Sequence, residues 1–172
     1  TRRSSDLKAM LGTDEISGRW TLSGGDIPNV GDTGKYMAEF TADVHPEYYK
    51  PLTAKVTLDI AKAQAPAMAD TTLSCYWGAS GEKSVSLAGL PENTGEIYPA
   101  TIAVSDVNGI LAVDSARYSD GKLYFTLGEN TEESIGNTAE ITVTLPTQNY
   151  TDFTFRITVT LAAKGDQQAP LQ

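Results

Sequence analysis

The stretch YKPLTAKVTLDIAKAQAP, residues 49–66, returns near the other end of the chain as YTDFTFRITVTLAAKGDQQAP, residues 150–170. Tyr49 matches Tyr150, Leu52 matches Phe153, and Lys55-Val56-Thr57-Leu58 matches Arg156-Ile157-Thr158-Val159. Ile60-Ala61 matches Leu161-Ala162, and no insertion is needed before the join to a shared Gln-Ala-Pro. Within the second copy Ile157, Val159 and Leu161 alternate with Arg156, Thr158 and Thr160. That period of two places one set of side chains on a core and the other in water. Val56, Leu58 and Ile60 repeat the device in the first copy, as do Ile141, Val143 and Leu145 in AEITVTL. Each is expected to be a half-buried strand of an antiparallel sheet.

The two copies stand 101 positions apart, the size of one ordinary β domain. Each copy therefore reads as the last strand of a domain, with Gln-Ala-Pro handing the chain on. The expected division is a small β domain over 1–63, a linker over 64–70, a second domain over 71–164 and a further linker over 165–172. In the second domain seven strands are expected, near 71–77, 83–88, 96–105, 111–116, 122–127, 137–145 and 152–162. Seven short strands with turns every 8–12 residues are the pattern of an immunoglobulin-like sandwich. The first domain offers four, near 6–11, 17–23, 34–41 and 53–61, and reads as compact or as lacking its opening strand. Asp120-Gly121 and Asn108-Gly109 are expected hairpin turns, since each pair tolerates positive φ. SSDLKAML can make one helical turn; NTEES is too short and too polar for a helix. The fold class is thus all-β, with two tandem β-sandwich, immunoglobulin-like domains, the first small or truncated.

Across 172 residues the hydrophobic share is 40% and the formal net charge −9. That charge argues against nucleic acid, whose phosphates demand clustered Lys and Arg, and against an anionic membrane surface. No apolar run approaches the roughly 20 residues of a membrane helix, so direct membrane insertion is not expected. The lone cysteine, Cys75, closes no internal disulfide and builds no zinc pattern. The chain opens without methionine and closes on the linker-like AKGDQQAPLQ. It reads as a segment of a longer protein whose targeting signals lie elsewhere, with neighbouring domains of the same chain as its first partners.

Residues capable of chemistry are few. His45, the only histidine, stands between Asp43 and Glu47 in a polar turn, where a solvated loop role accounts for it. Carboxylate pairs such as Glu92/Glu96 and Glu132/Glu133 lie in polar turns with nothing nearby to raise one pKa for glycoside chemistry. Asp106, Asn108, Gly109, Asp114 and Asp120 offer oxygen ligands for calcium, but without the EF-hand spacing, and hairpin turns account for Asn-Gly and Asp-Gly. The terminal strands carry no asparagine for a Lys–Asn isopeptide bond, and Asn149 precedes its strand. No catalytic, metal or cofactor residue is assigned, and the chain is expected not to be an enzyme. Among the aromatics, Trp20 reads as core, while Tyr76, Trp77 and Tyr118 are the candidate ligand contacts. In CYWG neighbouring rings point to opposite faces, so one of Tyr76 and Trp77 is expected to be exposed.

Gly18/Trp20, Pro28/Val30/Gly31, Tyr36/Phe40/Thr41, Tyr49/Pro51 and the run Val56 to Ala63 resemble the immunoglobulin-like repeats of large Gram-positive surface proteins. VSLAGL, SDGKLYFTL and AEITVTLPTQNYTDFTFRITVTL resemble a companion repeat of the same proteins. The resemblance implies a multidomain bacterial protein, secreted or attached to the cell wall, and it brings no catalytic residue with it. The expected role is a spacer, stalk or adhesion module. The alternatives are a module binding glycan or a host surface protein, and an accessory region of a large secreted enzyme.

Overall fold

Alternate residues of the last strand, Phe153, Phe155, Ile157, Val159 and Leu161, are all buried, while Thr154 and Arg156 between them are exposed. The period-two reading of RITVTL therefore holds, and a core is built on it. A computed structural model describes residues 7–23, 28–32, 36–87 and 89–164. Two units divide the chain, Thr1–Ala63 and Gln64–Gln172.

The strands of the first unit are β1 (Ala9–Leu11), β2 (Asp14–Ile16), β3 (Gly18–Ser23), β4 (Tyr36–Ala42) and β5 (Leu52–Val56). Those of the second are β6 (Thr71–Tyr76), β7 (Glu82–Ser86), β8 (Thr101–Ser105), β9 (Arg117–Ser119), β10 (Lys122–Thr126), β11 (Thr138–Leu145) and β12 (Phe153–Ala162).

The second unit is a seven-stranded sandwich, six of whose strands fall where its turns and alternation place them. One sheet runs β6-β12-β11-β8 and the other β7-β10-β9. Leu123 and Phe125 of β10 join Ile141, Val143, Phe155, Ile157 and Val159 in a single apolar cluster between the sheets. The β11–β12 register sets Ile141 against Ile157 and Val143 against Phe155, so inward residues pair with inward residues. β6 joins β12 in parallel, Thr71 opposite Ile157 and Tyr76 opposite Ala162. Asp120 and Gly121, at φ 51° and 74°, make the tight hairpin between β9 and β10, as a primed turn requires.

In the first unit β1 and β2 form a hairpin, and β3, β4 and β5 form an antiparallel sheet in that order. Trp20 stands opposite Phe40 in the register, their rings tilted at 5.3 Å. Trp20 is only half-buried, and Leu22 and Leu52, on the same face, are exposed. The buried apolar side chains among the described residues of this unit are Ala9, Ala38 and Ala42.

Several expectations need correction. β5 stops at Val56 rather than running to 61, although Leu58 and Ile60 keep the half-buried alternation. The segment 111–116 is not a strand, for only Leu111 makes a bridge, to Leu127; the strand lies after it, at β9. Asn108-Gly109 closes no hairpin, because β8 pairs with β11. In place of a helical turn, Ala9–Leu11 is extended. NTEES carries a single 3₁₀ turn, Glu132–Ser134, with reciprocal Thr131 and Ser134 caps. The linker expected over 165–172 lies outside the described residues.

Candidate contact surfaces

Tyr76 and Tyr118 belong to two different sheets, and Trp77 lies just beyond the first of them. Tyr76 ends β6, Trp77 opens the turn after it, and Tyr118 sits in the middle of β9. All three are half-buried, and Tyr76 and Tyr118 pack against the core cluster. The backbone N–H of Trp77 donates to the Ala162 carbonyl at 3.2 Å, carrying the β6–β12 pairing one residue further. The expected exposed ring of the Tyr76/Trp77 pair is thus replaced by two partly covered ones. Beside Tyr118, Arg117 holds Glu82 through both carboxylate oxygens, at 2.9 and 3.0 Å. Its guanidinium lies 4.1 Å over the Tyr124 ring, covering a face that a sugar would need.

His45 adopts φ 48°, rare for a residue with a side chain and rarer before proline. It opens the 3₁₀ turn Pro46–Tyr48. Its ring stacks on Tyr48 at 4.9 Å, and Nδ1 lies 3.0 Å from Glu47 Oε1. Asp43 accepts instead from the Ser17 hydroxyl at 2.7 Å. This exposed turn is tied by its own side chains, His45 to Glu47 and Tyr48.

Asp106 spends both carboxylate oxygens on backbone. Oδ1 accepts from the Ile110 N–H at 3.0 Å and Oδ2 from the Leu111 N–H at 2.7 Å. Those bonds cap the loop after β8. Among the described residues no three His, Cys, Asp or Glu side chains are grouped to hold a metal ion. Glu92, Glu96, Glu132 and Glu133 are exposed. The Asn149 amide donates to the Asn93 carbonyl at 2.8 Å, in the turn ahead of β12. Burial pushes the Cys75 thiol up from its ordinary pKa, with the Lys83 charge opposing it.

Sequence reading missed a cleft beside β8. A cavity of about 360 Å³ lies between β8 and the segment 109–116, walled by Ile102, Val104, Leu111, Val113 and Ala116 with Asp106 and Asp114. Ile102 and Val104 stand opposite the buried Val143 and Ile141, so both occupy inward positions. Even so, Val104 is 48% exposed and Val113 90%. The far wall is firmly tied: Ala112 N–H donates to Thr126 O at 2.9 Å, and the Ser115 hydroxyl both accepts from and donates to Thr126 backbone. The available signal was a charge-free strand, TIAVS, followed by an aliphatic connection, NGILAV.

No family model matches the chain, and no curated protein matches it. Among solved structures it is similar to a three-domain structure of titin domains I67-I69 carrying an E-to-A change, at 13% identity and TM-score 0.36. That match covers 94% of this chain, which spans about half, 53%, of the titin one. It is also similar to the titin Ig tandem A164-A165, at 10% identity and TM-score 0.33, over 90% of this chain and 80% of that one.

Proposed function

We propose that the chain is a non-enzymatic structural and adhesion module of a multidomain bacterial extracellular protein, set between neighbouring domains as a spacer or stalk. The observation that carries this reading is the parallel pairing of β6 with β12 along Thr71–Tyr76 and Ile157–Ala162. A pull on the two ends of the second unit enters ahead of β6, where the Ala65 N–H donates to the Thr151 hydroxyl at 2.8 Å, and leaves at the end of β12. The strands are then drawn in opposite directions along their length. Their hydrogen bonds lie across the force and must break together, whereas an antiparallel hairpin pulled at its open end gives way one bond at a time. A stalk under tension needs that geometry. The repeated strand and Gln-Ala-Pro exit support an array of such units, and the net charge of −9 supports solubility. The cell-wall or secreted Gram-positive setting follows the resemblance of Gly18/Trp20, Pro28/Val30/Gly31 and the first unit's closing strand.

Single-molecule force spectroscopy on the chain between two handle domains tests the proposal. The second unit is expected to yield in one event that releases about 90 residues, roughly 300 Å of contour. The force should exceed that for the first unit, where β5 pairs with antiparallel β4 alone among the described strands. Yielding of the second unit at or below the first unit's force would overturn the stalk reading. A ligand-binding role is the second reading, and the cleft beside β8 is the observation that favours it.

A further inference from the structure

We propose that the free edge of β8, with the cleft behind it, docks an extended basic segment of a partner protein, which adds as a fifth strand to the β6-β12-β11-β8 sheet. The stalk reading does not depend on this site, nor the site on it.

Three observations converge. First, among the described residues β8 is an unguarded edge. β7 carries Glu82 and Lys83, and β9 is three residues long and begins with Arg117, both ordinary ways of discouraging an incoming strand. β8 reads TIAVS, β-branched and without charge. β6 is uncharged too, but its inward side chains Leu73 and Cys75 are half-buried and buried, whereas inward Val104 is 48% exposed. Second, a strand laid along β8 alternates its side chains between the two faces of the sheet. Every other one would lie on the inward face over the cavity of about 360 Å³, beside Val104 and Val113. That space suits aliphatic side chains at alternate positions, and the added backbone supplies the hydrogen bonds of strand addition. Third, Asp106 and Asp114 line the cavity with no Lys or Arg among its walls. A Lys or Arg beyond the aliphatic positions complements that rim, and the net charge of −9 steers a cationic segment towards it. A second copy of this chain fits less well, because its own β8 has no basic residue and brings another −9. The cleft is preformed, since Asp106 caps its floor and Ser115 pins its wall, so little ordering cost falls on docking.

The test uses the whole chain and two synthetic peptides, Lys-Val-Thr-Ile-Thr-Val-Lys and the same sequence with Glu in place of both Lys. Fluorescence anisotropy and ¹⁵N NMR are expected to show the basic peptide binding about tenfold tighter than the acidic one at low salt, the gap narrowing as salt screens it. Amide shifts should concentrate on residues 101–105 and 109–116. Val104→Lys should abolish binding, and its fold is checked by the unchanged spectrum of β12. Asp114→Asn keeps a residue type that tolerates the observed φ of 54° and should weaken the basic peptide severalfold without moving the rest of the spectrum. The proposal fails if saturating peptide leaves the β8 amides unmoved or Val104→Lys binds equally well. It also fails if sedimentation shows a dimer with β8 protected, making a second copy the occupant, or if calcium shifts Asp106 and Asp114 and displaces the peptide.

Discussion

Gly18 shows how much one missing methyl can decide. It pairs with Ala42 in the register, diagonal to Phe40, and the Phe40 ring folds across it. A Cβ at this position would overlap that ring and the Thr41 carbonyl oxygen. Gly18→Ala is therefore expected to push Phe40, and with it Trp20, off the sheet, costing about 1–3 kcal/mol of overpacking in the first unit. Urea unfolding followed by Trp20 fluorescence in a Trp77→Phe background measures it, and the second unit should not respond. Asp106 is the opposite kind of residue, one whose role is hydrogen bonding. Losing its two charge-assisted bonds in Asp106→Ala should cost about 2–3 kcal/mol in the second unit, and Asp106→Asn, which keeps one acceptor, less. Cys75 adds a pH dependence. Its thiol is raised in the folded state, so between the ordinary thiol pKa and the raised one the folded chain holds a proton that the unfolded chain has lost. Stability of the second unit should accordingly fall as pH climbs through that window, and Cys75→Ala should remove that part of the fall. At this scale the sequence was legible where backbone conformation dictates residue type, as at Asp120-Gly121. It was not legible at Asp106, because a side chain that caps backbone five residues on looks like a ligand until the loop is seen.

The two copies of the repeated strand begin where the alignment puts them, β5 at Leu52 and β12 at Phe153, yet one has five residues and the other ten. Partners explain the difference. β12 has β11 on one side along Phe153–Thr160 and β6 on the other along Ile157–Ala162. The matching stretch of the first copy, 57–61, has no ladder partner among the described residues, so alternation alone did not make it a strand. The same physics misled the reading of 111–116, where apolar side chains serve as a cleft wall rather than a ladder. Periodicity reports which face is apolar; hydrogen-bonding partners decide whether the segment is a strand, and partners are not written locally. The cleft was illegible for a related reason, since it exists only where β8 is an edge and the following segment fails to pair. Hydrogen exchange tests the contrast directly: amides of 157–162 should be protected by several orders of magnitude more than those of 57–61. Comparable protection in both would mean that 57–61 is paired as well.

Over the whole chain, apolar burial is unequally shared. Every member of the large cluster, from Cys75 to Leu161, belongs to the second unit, and Phe125, Ile141, Phe153 and Ile157 in it are 0% exposed. Each such side chain contributes about 1.5–3 kcal/mol of transfer free energy. The first unit has three buried alanines among its described residues and leaves Met10, Leu11, Leu22, Met37 and Leu52 exposed, so its margin over chain entropy is narrow. Thermal unfolding is therefore expected in two steps, the first unit melting at the lower temperature. A chain of residues 64–172 alone should keep the upper transition unchanged, because every described member of its core cluster lies after Gln64. Phe125→Ala, which empties a fully buried position, should cost about 3–5 kcal/mol and lower only that upper transition. Calorimetry of the three chains decides the matter. A single transition that moves as a whole in Phe125→Ala would show that the first unit draws its stability from the second, and the two could then no longer be treated as separately folding parts of an array.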